Sequence, residues 1–74
     1  MARPYAKLRG LMVECGETQG DLGRLLLLSN PAISSRMNNR SYWSLDEMYA
    51  LMDHYHVPHD QLHRVFPKNG RNED

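Results

Sequence analysis

The sequence predicts a small all-α domain of five helices. Two observations carry that expectation. Apolar residues recur at a period near 3.6 along the chain, and residues that start or stop helices separate the periodic segments. The 74 residues suffice for one domain with a thin core.

The first helix is expected over about Pro4 to Cys15. Pro4 tolerates a first helical position, where its missing N–H would be unpaired anyway. Leu8, Leu11, Met12 and Cys15 share a face, which makes Cys15 a small buried hydrophobe rather than a reactive thiol, and Gly16 suits the left-handed residue after a helix. Thr18 is the expected N-cap of the second helix, with Gln19 in its first turn. Leu22, Gly23 and Leu26 lie on one face there. A helical glycine costs about 1 kcal/mol against alanine, so Gly23 implies close approach of a neighbour. Leu25 and Leu27 are surplus to that face, so at least one should be exposed or meet a partner chain.

Ser29 caps the third helix, expected from about Asn30 to Asn38, with Pro31 in its first turn and Asn39 as a left-handed cap. Ser44 with Glu47 forms a capping box opening the fourth helix, whose apolar stripe is Leu45, Met48, Leu51, Met52 and Tyr55. Val57-Pro58 breaks it. A last short helix, about His59 to Phe66, turns Leu62, Val65 and Phe66 inward, and residues 67–74 read as a flexible polar tail after a domain spanning 1–66. The shared core should contain Leu8, Met12, Leu22, Leu26, Ile33, Met37, Leu45, Met48 and Leu62.

Composition is ordinary for a globular chain, with 41% hydrophobic and 24% charged residues. The single cysteine excludes an internal disulfide and suits a reducing compartment. The start, MARPYAKLRG, has no apolar stretch of the kind a secretion signal needs, and the longest aliphatic run, Leu25 to Leu28, is far too short to span a membrane. A cytoplasmic protein is expected. No nucleophile–base set or phosphate loop is visible, so no enzyme activity and no cofactor are expected. His59 and His63 have a spacing that can bind zinc on a helix, but no third ligand is fixed, so His54, His56, His59 and His63 read as solvated and no metal is expected.

Net charge is zero, but its distribution is uneven. From Met1 to Leu45 six cations (Arg3, Lys7, Arg9, Arg24, Arg36, Arg40) face three anions (Glu14, Glu17, Asp21), an excess of three. From Asp46 to Phe66 four anions (Asp46, Glu47, Asp53, Asp60) face Arg64, a deficit of three. The positive half surrounds the stretch Thr18 to Arg40. In its second helical segment Ile33 and Met37 share the inner face, and at about 100° per residue the opposite direction passes through Ser35. Pro31, Ala32, Asn38 and Asn39 lie near it, with Ser34 and Arg36 on the flanks. That outer face is small, polar and free of carboxylates, as a helix pressed against a polyanion should be.

The ordered set Thr18-Gln19, Leu22-Gly23, Leu26, Leu28-Ser29, Ile33-Ser34 and Ser44-Leu45 resembles the helix-turn-helix core of Cro/C1-type phage repressors. A wider pattern is similar to a family of small proteins of Gram-positive bacteria and their phages. It comprises Tyr5 to Gly10, Arg36 to Arg40, Trp43 before an acidic helix, and Phe66. The resemblance spans roughly residues 5–66 and implies a lambda-repressor-like fold and a transcriptional regulator binding double-stranded DNA.

By position the resemblance implies that Gln19 grips a phosphate, that Asn30, Pro31 and Ser35 touch base edges, and that Asn38 touches the backbone. Chemically, Asn30 can pair with adenine, Ser35 with several bases, and Ala32 or Pro31 can meet a thymine methyl. Ser34, Arg36, Asn39, Arg40 and Tyr42 complete the expected phosphate contacts. Trp43 reads better as a cap on the corner between the third and fourth helices.

This sequence departs from the pattern in three ways. Leu27 stands where the turn glycine belongs, and a left-handed leucine costs roughly 1–2 kcal/mol, so the turn is expected to differ. Pro31 cannot donate a side-chain hydrogen bond. Met12 and Met37 occupy the positions of a buried Arg–Glu pair that joins the first and third helices in some relatives. Relatives bind palindromes as dimers, which implies a homodimer here. Val57, Val65 and Phe66 are candidates for its interface, although they can equally close the monomer core. The alternative function is a protein-interaction module of the same fold, antirepressor- or antitoxin-like, that binds another regulator.

Overall fold

The computed structural model describes residues 3–70. It is all-α: α1 (Ala6–Glu14), α2 (Gln19–Leu26), α3 (Asn30–Met37), α4 (Leu45–His54) and α5 (Leu62–Val65), with no strand among the described residues. A 3-10 turn, His59–Gln61, leads into α5, and another, Lys68–Gly70, follows it. No helix of the described residues is long and apolar enough to cross a membrane.

The caps match local sequence chemistry. Thr18 and Ser44 each form a capping box, with Asp21 and Glu47 respectively, and the Ser29 hydroxyl accepts from the Ala32 N–H. Four helices end in the same manner, with one left-handed residue and a hydrogen bond reaching back five residues. The pairs are Glu17 N–H to Met12 O past Gly16, Leu28 to Gly23 past Leu27, Arg40 to Ser35 past Asn39, and Val57 to Met52 past His56, at 2.8–2.9 Å. Gly16 and Asn39 suit this geometry, whereas Leu27 (φ 59°) and His56 (φ 57°) adopt it under strain. The α2–α3 turn therefore keeps a left-handed residue despite lacking glycine. Gly23 explains how: a methyl group there would lie 2.6 Å from the Leu28 carbonyl oxygen, so only glycine lets the turn fold back on α2.

Leu8, Met12, Leu22, Ile33, Met37, Leu51, Met52 and Val65 form the centre of the core, with Leu26, Met48 and Leu62 packed against it. Tyr5, Trp43 and Phe66 add an aromatic corner, with ring centroids 5.4–6.2 Å apart. Trp43, in the loop between α3 and α4, is thus buried against Tyr5 and Phe66.

Four expectations require correction. The first helix starts at Ala6, not Pro4, because Tyr5 is left-handed (φ 55°) and donates its N–H to Gly70 O at 2.8 Å. Cys15 is exposed, because α1 ends at Glu14 and the Gly16 turn carries the chain off the buried face. Leu45 is 52% exposed, since the start of α4, with Ser44 and Asp46, stands clear of the core. The stretch expected as tail from residue 67 instead packs back on the beginning of the chain, with Gly70 buried against Pro4 and Tyr5. The remainder of that tail, 71–74, lies outside the described residues.

Candidate nucleic-acid interface

The candidate surface is built on α2 and α3, which pack on each other more extensively than any other helix pair. Ile33 and Met37 are fully buried and fix the rotation of α3. That rotation leaves Asn30, Pro31, Asn38 and Asn39 exposed, and Ala32, Ser34, Ser35 and Arg36 half-buried. No carboxylate occurs in α3.

The N-terminal ends of α2 and α3 meet. A methyl group on Gly20 would sit 3.6 Å from Asn30 Oδ1, and one on Gly23 at the same distance, so the Asn30 side chain lies at ordinary contact distance from both positions of α2. Gln19, half-buried, adjoins this point as the first residue of α2. Asn30 thereby lies against the helix that Gln19 opens, and Pro31 is exposed beside it.

The C-terminal end of α3 is held by hydrogen bonds that the sequence did not reveal. Arg9 Nε donates to Pro4 O at 2.7 Å and Nη2 to Met37 O at 2.8 Å, with a longer bond to Asn38 Oδ1 at 3.4 Å. Burial first, and the Arg3 charge second, draw the Arg9 pKa below the usual guanidinium value. Arg9 thus supplies a tie between α1 and α3, on the same two helices as the apolar contact positions Met12 and Met37. Asn38 folds back as well, its Nδ2 donating to Ser34 O at 2.9 Å and to Ser34 Oγ at 3.3 Å. The Tyr5 hydroxyl reaches Asn39 Oδ1 at 3.5 Å.

Arg36 differs most from its expected role. Its Nε donates to Glu47 Oε1 at 2.9 Å, its Nη2 to Oε2 at 3.4 Å and its Nη1 to Ala32 O at 3.2 Å. Glu47 also accepts from the Ser44 N–H in the capping box. The Arg36 charge is therefore compensated inside the fold. Arg40 and Tyr42 are exposed, Tyr42 at 89%, and Arg40 makes no ion pair or side-chain hydrogen bond among the described residues.

The candidate dimer residues are placed differently from one another. Val65 and Phe66 are buried in the monomer core at 1% and 8% exposure, and Val57 packs partly against it. Leu27 is 90% exposed and Leu25 is open as well. The histidines are spread over separate contacts: His54 on Glu17 at 2.8 Å, His59 on Asp53 at 2.7 Å and stacked on Tyr49.

Residues 1–69 match the family described as "Protein of unknown function (DUF739)". The chain belongs to the DUF739 family. The match covers α1 through α5, so the α2–α3 pair and the Arg9 tie both fall within the DUF739 region. Comparison with curated proteins and comparison with solved structures each find no match.

Arg9 had no role assigned from the sequence, and Arg36 was assigned a different one. Arg9 carried a signal, since no acidic residue follows it within a helical turn. The partnership of Arg36 with Glu47 was obscured because Glu47 was already explained as the capping-box residue.

Proposed function

We propose that this DUF739 protein is a sequence-specific double-stranded DNA-binding transcriptional regulator, resembling Cro/C1-type repressors, that reads the major groove with α3. The observation that carries the reading is the outer face of α3, which is carboxylate-free and uncovered at its N-terminal tip beside Gln19. A helix tip of that kind can approach base edges without repelling phosphates. In this reading Asn30, Pro31, Ala32 and Ser35 meet bases. Gln19, Ser34, Asn38, Asn39, Arg40 and Tyr42 meet the backbone, and Arg36 positions α3 through Glu47.

One short helix covers only a few base pairs, so the reading includes a homodimer on a palindromic operator. With Val65 and Phe66 in the core, Leu25 and Leu27 are the better interface candidates. A second reading, an interaction module that binds another regulator, is favoured by those same leucines and by the zero net charge.

Selection of duplexes from a random pool by the purified protein tests the proposal. A regulator enriches one palindromic motif whose binding weakens with salt. An interaction module enriches none.

A further inference from the structure

A cleft of about 230 Å³ opens between α1, the start of α2 and the end of α3. Met12 and Met37 line it from the core, and Arg3, Arg9, the exposed Val13, Glu17 and Gln19 line the rest. The charges in this cleft are unequally compensated. Glu17 is engaged by His54 at 2.8 Å. Arg9 is held by three neutral oxygens, Pro4 O, Met37 O and Asn38 Oδ1, and no carboxylate among the described residues pairs with it. Its Nη1 donates to nothing among the described residues, and Arg3 adds a second cation without an ion pair there.

A guanidinium fixed by neutral acceptors keeps its full charge and is already oriented. It gives up no internal ion pair when an oxyanion arrives. Arg36, the cation on the recognition helix itself, would have to leave Glu47 first. The cleft also borders the reading tip, because Gln19 lines it and Gln19 adjoins the Gly20–Asn30 contact.

We propose that Arg9 and Arg3 join the Gln19 phosphate contact of the DNA-binding reading to form a seat for one phosphate group, supplied by the DNA backbone beside the bases that α3 reads. The source and the Gln19 contact, though not the two arginines, rest on the DNA-binding reading above. Arg9 then has two roles, closing the end of α3 and carrying charge to the backbone, so that the helix and the phosphate register are set by one side chain.

The full chain, labelled with ¹⁵N, is titrated with an unrelated duplex and separately with inorganic phosphate, using sodium chloride at matched ionic strength as the control. The Arg9 Nε–H and Gln19 side-chain amide signals are followed in the native protein and in the surface variants Arg3→Gln and Gln19→Glu, neither of which removes a side-chain hydrogen bond among the described residues. The duplex is expected to shift both signals. Arg3→Gln should flatten the slope of log K against log salt by ~0.9 for each phosphate that is no longer neutralised, and Gln19→Glu should weaken binding on every duplex. If the duplex shifts signals of α3 but not that of Arg9, and the Arg3 variant keeps the native slope, the seat is overturned while DNA binding stands. If the duplex shifts nothing and inorganic phosphate shifts Arg9 and Gln19 beyond the chloride control, the seat stands and the DNA backbone is overturned as its source. If neither ligand shifts Arg9, the seat is overturned outright.

Discussion

Arg36 and Glu47 meet at 2.9 Å with side chains only 20% and 18% exposed, and their pair joins α3 to α4. The contact changes what the arginine does. A cation on the flank of a reading helix looks like a phosphate contact, but this one is held by a carboxylate of the neighbouring helix that also closes a capping box.

Replacing Arg36 by alanine should therefore act on stability more than on DNA affinity. It leaves Glu47 half-buried without its partner, at an expected cost of about 1–3 kcal/mol, between an exposed pair and a buried one. Urea unfolding of Arg36→Ala, Glu47→Gln and the double variant measures the coupling. Losses that add without coupling would show that the pair contributes nothing to stability. A salt slope that flattens in a folded Arg36→Ala protein would return the residue to the DNA surface.

The α2–α3 turn gives a prediction of opposite signs at two positions. Leu27 is left-handed and exposed, so Leu27→Gly removes strain without removing packing within the monomer. The expected gain is about 1 kcal/mol, less than the full strain because glycine also loosens the unfolded chain. Gly23→Ala drives a methyl group to 2.6 Å from Leu28 O and should cost about 1–3 kcal/mol. Thermal melts of both variants check this. Equal effects at the two positions would mean that the turn relaxes around either residue.

These two cases show how far the sequence could be read. Helix order, the caps at Thr18, Ser29 and Ser44, and the buried faces of α2 and α3 were legible because each depends on residues within one or two turns. Cys15 and Leu45 were misplaced because periodicity assigns a face but does not say where neighbours stop covering it. Arg9 and the Arg36–Glu47 pair were hidden for a related reason. A guanidinium reaches across elements, to residues 28 and 11 positions away, and local spacing carries no information at that range. The turn glycine was the reverse case: its absence at Leu27 suggested a different turn, but Gly23 preserves the path.

Stability should depend on pH at both ends of the range through neighbouring groups. The Tyr55 hydroxyl and the His54 ring hold the Glu17 carboxyl below its usual range. The hydroxyl makes this contribution by proximity, since it forms no hydrogen bond of good geometry. A carboxyl with a lowered folded pKa contributes stability above its unfolded value, ~4.3, and loses it as pH falls through the folded value. Burial, followed by the Glu17 charge, pushes Tyr55 up. Its contribution is therefore complete below its unfolded value, ~10, and fades as pH rises toward the folded one. Denaturant midpoints across pH should show a flatter acid limb for Glu17→Gln and a flatter alkaline limb for Tyr55→Phe. Limbs parallel to the native protein's would remove both assignments.

The last prediction separates charge from reading on the proposed DNA surface. Arg40 is exposed just past the end of α3 and pairs with nothing among the described residues, so its charge is free for a phosphate. A phosphate contact carries no sequence, and Arg40→Ala should weaken all duplexes alike and flatten the salt slope by ~0.9 per phosphate left without its cation. Asn30 is uncharged and exposed at the tip of α3, lodged against Gly20 and Gly23. Its replacement by alanine should leave the slope nearly unchanged and lose ~1–3 kcal/mol of discrimination at one base pair of each half-site. Among the described residues Asn30→Ala also removes no side-chain hydrogen bond, so the loss can be read without a stability correction. Both variants are titrated at several salt concentrations on the selected motif and on a scrambled duplex. Equal loss on the two duplexes would make Asn30 a backbone contact and leave Ser35 as the polar reader. An unchanged slope in Arg40→Ala would place the phosphate path along the α1 side of the α2–α3 pair, away from the α3–α4 loop.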